Sequence, residues 1–317
     1  MKIFVIGHKS PDVDAVTSAI QYKNFLERSS KYPNAEIVAT RAGDLNKETE
    51  YILNKFGVEK PKVISEYTIE PENKFILVDH NEEVQRHEKV VSEKVIEIVD
   101  HHKVNIDFPT PININVKTLG STSSVIYKLY EENDLEPSIE TGKLMLAGIL
   151  SDTVGLKSST TTETDKIAAQ KLASMTEVDI KDLTFNIFKT KSNIDGLEDI
   201  EIAKKDFKTY EFGTRKVFIN QVETVEPEKI IAKKDALVKA LDKAKEEEGC
   251  GDGFIIVTDI LKVRSQIIYT NKNEENIVEN AFKTKGEGNV ANIGSKISRK
   301  KDIAPEIEAA IGEMDSV

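Results

Sequence analysis

Lys2-Ile3-Phe4-Val5-Ile6-Gly7-His8-Lys9-Ser10-Pro11-Asp12-Val13-Asp14 is the stretch whose reading decides the fold. Ile3–Ile6 is a short apolar run that reads as a buried strand. Val13–Arg28 reads as a helix, with Val16, Ala19 and Ile20 on one face. The same alternation continues downstream. Phe75–Val78 and Val95–Val99 read as further strands, and Ser121–Glu132 and Glu140–Leu150 as helices. Strands alternating with helices predict an α/β domain: a mostly parallel sheet with helices on both faces.

A chain of 317 residues is long for one core, so two domains are expected. Phe188–Leu197 is polar, carrying Lys189, Lys191, Ser192, Asn193, Asp195 and Gly196, and reads as a linker. It divides the chain into a first domain at 1–187, a hinge at 188–197 and a smaller second domain at 198–317. In the second, Lys216–Val222, Gly253–Ile260 and Arg264–Thr270 read as strands of a mixed sheet. Glu228–Glu248 reads as one long helix ended by Gly249, and Pro305–Glu313 as a last helix.

With 44 basic and 55 acidic residues the net charge is −11, which argues against nucleic acid and anionic membrane as partners. The single cysteine, Cys250, excludes an intrachain disulfide and a thiolate zinc site. The apolar run after Lys2 stops at Gly7-His8, and Leu144–Leu150 is far short of a membrane span, so a cytoplasmic protein without a secretory leader is expected.

Histidine carries the chemical signal. Of five histidines, four lie beside aspartate at the ends of predicted strands: Gly7-His8 with Asp12 and Asp14, Asp79-His80-Asn81, and Asp100-His101-His102. The fifth, His87, sits in a charged stretch and reads as solvated. The carboxyl edge of an open parallel sheet is where ligands bind, so these clusters can converge, and Ser151-Asp152-Thr153 can bring another carboxylate. Each piece has an ordinary structural reading. Ser10 suits an N-cap, Pro11 a first helical residue, and Asp12 and Asp14 complement a helix dipole. Together, however, the carboxylates would oppose one another's ionisation unless cations joined them. Imidazole and carboxylate donors without thiolate suit manganese, cobalt or magnesium. Asp12 and Asp14, two residues apart, would splay on a helix, which favours two ions over one. Paired ions about 3.5–4 Å apart serve phosphoryl hydrolysis by lowering the pKa of a shared water. In the second domain, Ser298-Arg299-Lys300-Lys301 and Lys208 offer cations for phosphate, though a solvated basic patch would look the same.

The ordered set GHKSPDVDA, VDHN, DHH, SDT and SRKK, running from Gly7 to Lys301, resembles the family II manganese-dependent inorganic pyrophosphatases of the DHH phosphoesterase superfamily. The resemblance implies two manganese ions, with cobalt as a substitute and additional magnesium arriving with the substrate. His8 and Asp12 would hold one ion, and Asp14, His101 and Asp152 the other, with Asp79 bridging. His102 would contact pyrophosphate and donate a proton to the leaving phosphate, while Lys208, Arg299 and Lys300 would bind substrate in a cleft between the domains. Lys204 and Lys205 rival Lys208 for that role. His80 and Asn81 would support the site. A homodimer through the first domain is also implied. Only nineteen residues run from Glu82 to Asp100, which leaves no room for the nucleotide-binding insertion of longer members.

Two sister activities and one unrelated class remain as alternatives. A DHH phosphodiesterase would usually end in a GGGH-type motif, which is absent: His102 is the last histidine. An exopolyphosphatase resembles the chain in its second domain. A non-catalytic metal- or phosphate-binding protein would have no use for a full ligand set beside a phosphate-gripping cluster. No GxGxxG or Walker A pattern supports dinucleotide or ATP binding.

Overall fold

The computed structural model describes residues 1–315, which form two compact units, one spanning Met1–Lys191 and one beginning at Ser192. The first unit runs β1 (Lys2–Ile6), α1 (Val13–Ser29), β2 (Glu36–Thr40), α2 (Lys47–Phe56), β3 (Lys74–Val78), β4 (Val95–Asp100) and β5 (Asn113–Val116). Four helices follow: α3 (Thr122–Glu132), α4 (Ile139–Asp152), α5 (Glu163–Thr176) and α6 (Ile180–Lys191). The strands lie in the order β2-β1-β3-β4-β5, and every pairing is parallel. The chain therefore steps from β1 outward to β2 and then crosses back past β1 to β3. The crevice above the carboxyl ends of β1 and β3 is the switch point where such sheets bind ligands.

The apolar runs of β1, β3 and β4 are buried on both faces of this sheet. Helices α1 and α3 pack on one face. On the other, Phe4, Ile6, Phe75, Leu77 and Ile98 meet Ile64, Val90, Tyr67, Ile69 and Phe108. That second layer is a 3-10 turn at Ile64–Glu66 and irregular chain rather than α-helices. Ile64, Tyr67 and Ile69 come from the short stretch between Pro61 and Pro71, and Val90 and Phe108 from later irregular segments.

The second unit runs α7 (Asp199–Lys204), β6 (Phe207–Phe212), β7 (Arg215–Thr224), α8 (Pro227–Ile231), α9 (Lys234–Glu248) and β8 (Asp252–Asp259). It continues through β9 (Arg264–Ile268), α10 (Lys272–Phe282), β10 (Val290–Gly294) and α11 (Ala304–Asp315). Its sheet has the order β10-β9-β8-β7-β6 and is mixed, with β7 and β8 parallel and the other pairs antiparallel. One face buries Phe218, Val222, Ile255 and Val257 under α7, α8 and α9. The other buries Val217, Ile219, Phe254 and Ile256 under α10 and α11.

Two segments differ from the sequence reading. Phe188–Lys191, read as the start of the linker, is the last turn of α6, because Ile187 and Phe188 bury their side chains there. The single helix expected at Glu228–Glu248 is two, α8 and α9, parted at Ala232-Lys233. Ile230, Leu237, Leu241 and Ala244 keep helical spacing across the break, and no proline or glycine marks it.

Candidate metal centre

His8 leaves β1, Asp79 leaves β3, and Asp100, His101 and His102 close β4, so the sheet edge assembles them. Helix α1 adds two carboxylates. Asp12, rather than Ser10, is its N-cap, taking the Ala15 N–H at 3.0 Å, and Pro11 stays outside the helix. Asp14 sits in the first turn. Asp152 comes from the last turn of α4. Asp79 has a left-handed backbone (φ 60°), uncommon for any residue but glycine. A strained position of this kind persists where the surroundings over-determine it, and here it stands at the centre of the cluster.

Among the described residues, three groups of side chains have ligand atoms within 4.8 Å of one another: His8, Asp12 and Asp79; Asp14, Asp79, His101 and Asp152; and Asp79, His101 and His102. All three share Asp79, which is fully buried. Its Oδ2 lies 3.5 Å from His8 Nε2, and its Oδ1 lies 3.4 Å from His101 Nε2. His8 Nε2 is also 3.7 Å from Asp12, and His101 Nε2 is 3.4 Å from Asp152. The two rings are aimed by their other nitrogens: His8 Nδ1 lies 2.6 Å from the Lys9 carbonyl and His101 Nδ1 3.1 Å from that of Leu119. Each Nε2 is thereby turned toward the carboxylates.

These groups fit divalent cations. His101 Nε2 is buried without a hydrogen-bond partner, facing two carboxylate oxygens that stand too far off for a good bond. A cation held among them would satisfy all of them. In its absence, protons take that part. Burial disfavours charge on the His8 ring, yet Asp12 and Asp79 raise its pKa to about 11. Against the same cost, Asp152 and Asp79 raise His101 to about 12. Burial, with Asp152 and Asp79 close by, pushes Asp14 well above the carboxylate range, and burial lifts Asp152 to about 7. Burial acts the same way on Asp79, but His101 and His8 hold it well below its usual value.

The remaining residues support this core. His102 is half exposed, and its Nδ1 lies 2.9 Å from Asp100, a contact that raises its pKa. Asp100 also accepts the His101 N–H at 2.8 Å and the Asn81 amide at 2.6 Å. Asn81 in turn takes the Asn105 N–H. His80 is buried beside the Val78 carbonyl and stays out of the three groups; burial lowers it to about 4, so it is neutral. His87 is half buried and accepts the Lys89 N–H, away from the cluster.

Sequence reasoning missed the residues that clamp the carboxylates. At the start of α3, the Thr122 and Ser123 N–H groups donate to Asp14 at 2.6 and 3.1 Å, and the Ser123 hydroxyl at 2.5 Å. The Thr122 hydroxyl donates to Asp79 at 2.8 Å. A helix N-terminus is a natural anion cradle, and Ser121-Thr122-Ser123 was its only signal. Gly148 on α4 was also missed. A Cβ there would stand 2.1 Å from Ser123 Oγ and 2.5 Å from Asp14 Oδ1, so only glycine lets α4 approach the clamp.

In the second unit, Arg299 lies at the start of a π-helical turn, Arg299–Ile303, that leads into α11. Its guanidinium donates to the Asp206 carboxylate at 2.9 Å and to the Asp206 carbonyl. Lys208 on β6 shares a sheet face with Tyr210 and Phe212, which pack with Ile303 at the end of that turn and Ile307 beyond it. Lys204 is held by Glu247 and Glu248 at 3.1 and 2.7 Å, on α7 across the sheet. Lys208 and Lys300 are exposed, with no ion pair among the described residues.

A parallel sheet that gathers imidazoles and carboxylates at its switch point, followed by a mixed-sheet unit with an arginine–lysine turn, defines a class. Residues 2–149 match the DHH family, N-terminal domain, and residues 186–310 match the DHHA2 domain. The chain belongs to the family II manganese-dependent inorganic pyrophosphatases. It is 37% identical to the manganese-dependent inorganic pyrophosphatase of Methanocaldococcus jannaschii, over 97% of this chain and 98% of that one. A crystal structure from Methanococcus jannaschii, described as a candidate family II inorganic pyrophosphatase, is 36% identical, with a TM-score of 0.60, covering 98% of this chain and 100% of that one. An exopolyphosphatase-related protein from Bacteroides fragilis shares the fold at 16% identity and a TM-score of 0.54, covering 99% and 93%.

Proposed function

We propose that this chain hydrolyses inorganic pyrophosphate to two phosphates, using two manganese ions. The observation that carries the reading is the sharing of Asp79 among the ligand groups. His8 and Asp12 would hold one ion, Asp14, His101 and Asp152 the other, and Asp79 both. Bound ions would supply Lewis acidity, acidifying water and polarising phosphoryl oxygens. The donor set also admits cobalt, and magnesium would accompany the substrate.

The protein's own part is positioning and proton transfer. Thr122 and Ser123 fix the carboxylates, and Leu119 fixes His101. A water oxygen that has lost a proton to solvent joins one phosphorus while the bridging P–O bond breaks, and the departing phosphate takes a proton from His102, whose ring Asp100 holds and which solvent then reprotonates. Lys208, Arg299 and Lys300 bind phosphate oxygens, Arg299 in a fork and the lysines as point charges. The residues that join the units beyond Lys191 act as the hinge of each cycle.

The acidic balance of the chain favours neither nucleic acid nor membrane as a partner, and no helix among the described residues is long and apolar enough to cross a membrane. The resemblance supports a homodimer through the first unit, and the lone Cys250 suits the cytoplasm. Sedimentation checks the first of these.

Phosphate release from pyrophosphate, measured after metal stripping and restoration with manganese, cobalt, magnesium or zinc, tests the function. Short polyphosphate and the dinucleotide pApA run in parallel. Restoration best by manganese or cobalt, with pyrophosphate far preferred, is the expected result. Turnover confined to polyphosphate or pApA would move the chain to a sister activity.

A further inference from the structure

Asp165 lies on α5, touches none of the proposed ligands, and is fully buried. Its carboxylate accepts the Gly120 N–H at 3.0 and 2.9 Å across a separation of 45 residues. It also accepts the Thr162 N–H at 2.7 Å and the Thr162 hydroxyl at 2.6 Å. The Thr162 contacts make an ordinary capping box for α5. The Gly120 contacts do not belong to that box and need a separate account.

Gly120 stands in the middle of the segment that aims the metal centre. One residue before it, the Leu119 carbonyl holds His101 Nδ1. Two and three residues after it, Thr122 and Ser123 hold Asp14 and Asp79. A Cβ at Gly120 would stand 2.6 Å from Thr153 Cγ2 and 2.9 Å from Asp165 Oδ2, so the segment also packs tightly against the residue that follows Asp152. Whatever fixes Gly120 therefore fixes the orientation of several ligands on three elements.

We infer that Asp165 is a positioning residue for the metal centre: through the Gly120 N–H it locks the 119–123 segment that aims His101, Asp14 and Asp79. The inference rests on the reading of that cluster as a metal site. A carboxylate suits the task because both oxygens accept at once. An amide has one accepting oxygen and would turn an N–H toward the Gly120 N–H. The lock is a buried, charge-assisted contact, and groups that orient ligands from outside the coordination shell commonly govern metal affinity.

The test is manganese titration of the metal-free full chain, with free manganese followed by electron paramagnetic resonance and melting temperature recorded alongside. Asp165→Asn breaks the lock and weakens the cap. Gly120→Ala disturbs the lock from its other side without changing either cap residue, and it decides the matter if Asp165→Asn does not fold. Thr162→Ala removes the cap hydroxyl and leaves the lock. The expected result is manganese affinity lowered about 10–100-fold in Asp165→Asn and Gly120→Ala. Thr162→Ala should bind like the parent while melting lower. Parent-like affinity in the lock variants would overturn the inference, and so would an equal loss in Thr162→Ala. A parent chain that binds no manganese would overturn the metal reading itself.

Discussion

The two units present their functional residues in opposite ways. In the first, Asp14 and Asp79 are buried, His8, His101 and Asp152 are largely covered, and several are held by a second group: Asp14 by Thr122 and Ser123, Asp79 by Thr122, His101 by Leu119. In the second, Lys208 and Lys300 stand exposed and only Arg299 is tethered, to Asp206. Under the proposed roles, the difference follows from what each side would bind. Cations must find several like charges already gathered, so the protein invests hydrogen bonds in holding them. Phosphate must enter and leave each turnover, and mobile ammonium groups suit that exchange.

Removing the shared residue strikes the gathered side hardest. Asp79→Ala should lower manganese affinity by more than about 100-fold and take turnover with it. Retained metal-dependent turnover would break the contrast at its strongest point. Gly148→Ala comes next, since its methyl intrudes on Ser123 and Asp14. A melting loss equivalent to about 1–3 kcal/mol and weaker manganese binding are expected, measured by thermal melts and titration.

Acid should weaken the gathered side too. His8 and His101, raised to about 11 and 12 by the carboxylates, carry protons at neutral pH when no metal is bound. Manganese must displace those protons, so binding strengthens as pH rises, by about tenfold per pH unit for each proton released. Calorimetry in buffers of different ionisation enthalpy measures the release; a heat independent of buffer would contradict it. The exposed side should respond more gently. Lys300→Ala is expected to leave manganese affinity unchanged and raise KM about tenfold, the worth of one charge-assisted contact. Steady-state kinetics alongside the titration separates the two sides.

How much of this the sequence shows depends on burial. Strands β1, β3 and β4 are buried on both faces, so β1 and β3 are continuous apolar runs and β4 one broken only at Glu97, and the polar residues that end them stand out. Strand β5, Asn113–Val116, lies at the sheet edge with Asn113 and Ile114 exposed and leaves no such run. Strand β6, Phe207–Phe212, hides among lysines and a glutamate and becomes a strand by pairing with β7 across the Gly213 turn. Of the candidate site, the histidines and aspartates declare themselves by chemistry. Thr122, Ser123, Gly148 and Asp165 do not, because a hydroxyl at a helix start, a glycine in an apolar helix and a capping aspartate all have ordinary uses. Only the approach of α3, α4 and α5 to the sheet edge gives them another.

Asp79 is proposed to join two ions in one gathered site. Counting manganese bound per chain, by equilibrium dialysis of the metal-free protein at neutral pH, tests it most directly. Two ions in the parent chain and the loss of both in Asp79→Ala is the predicted result. A single ion in the parent chain, or two ions undisturbed in Asp79→Ala, would contradict it.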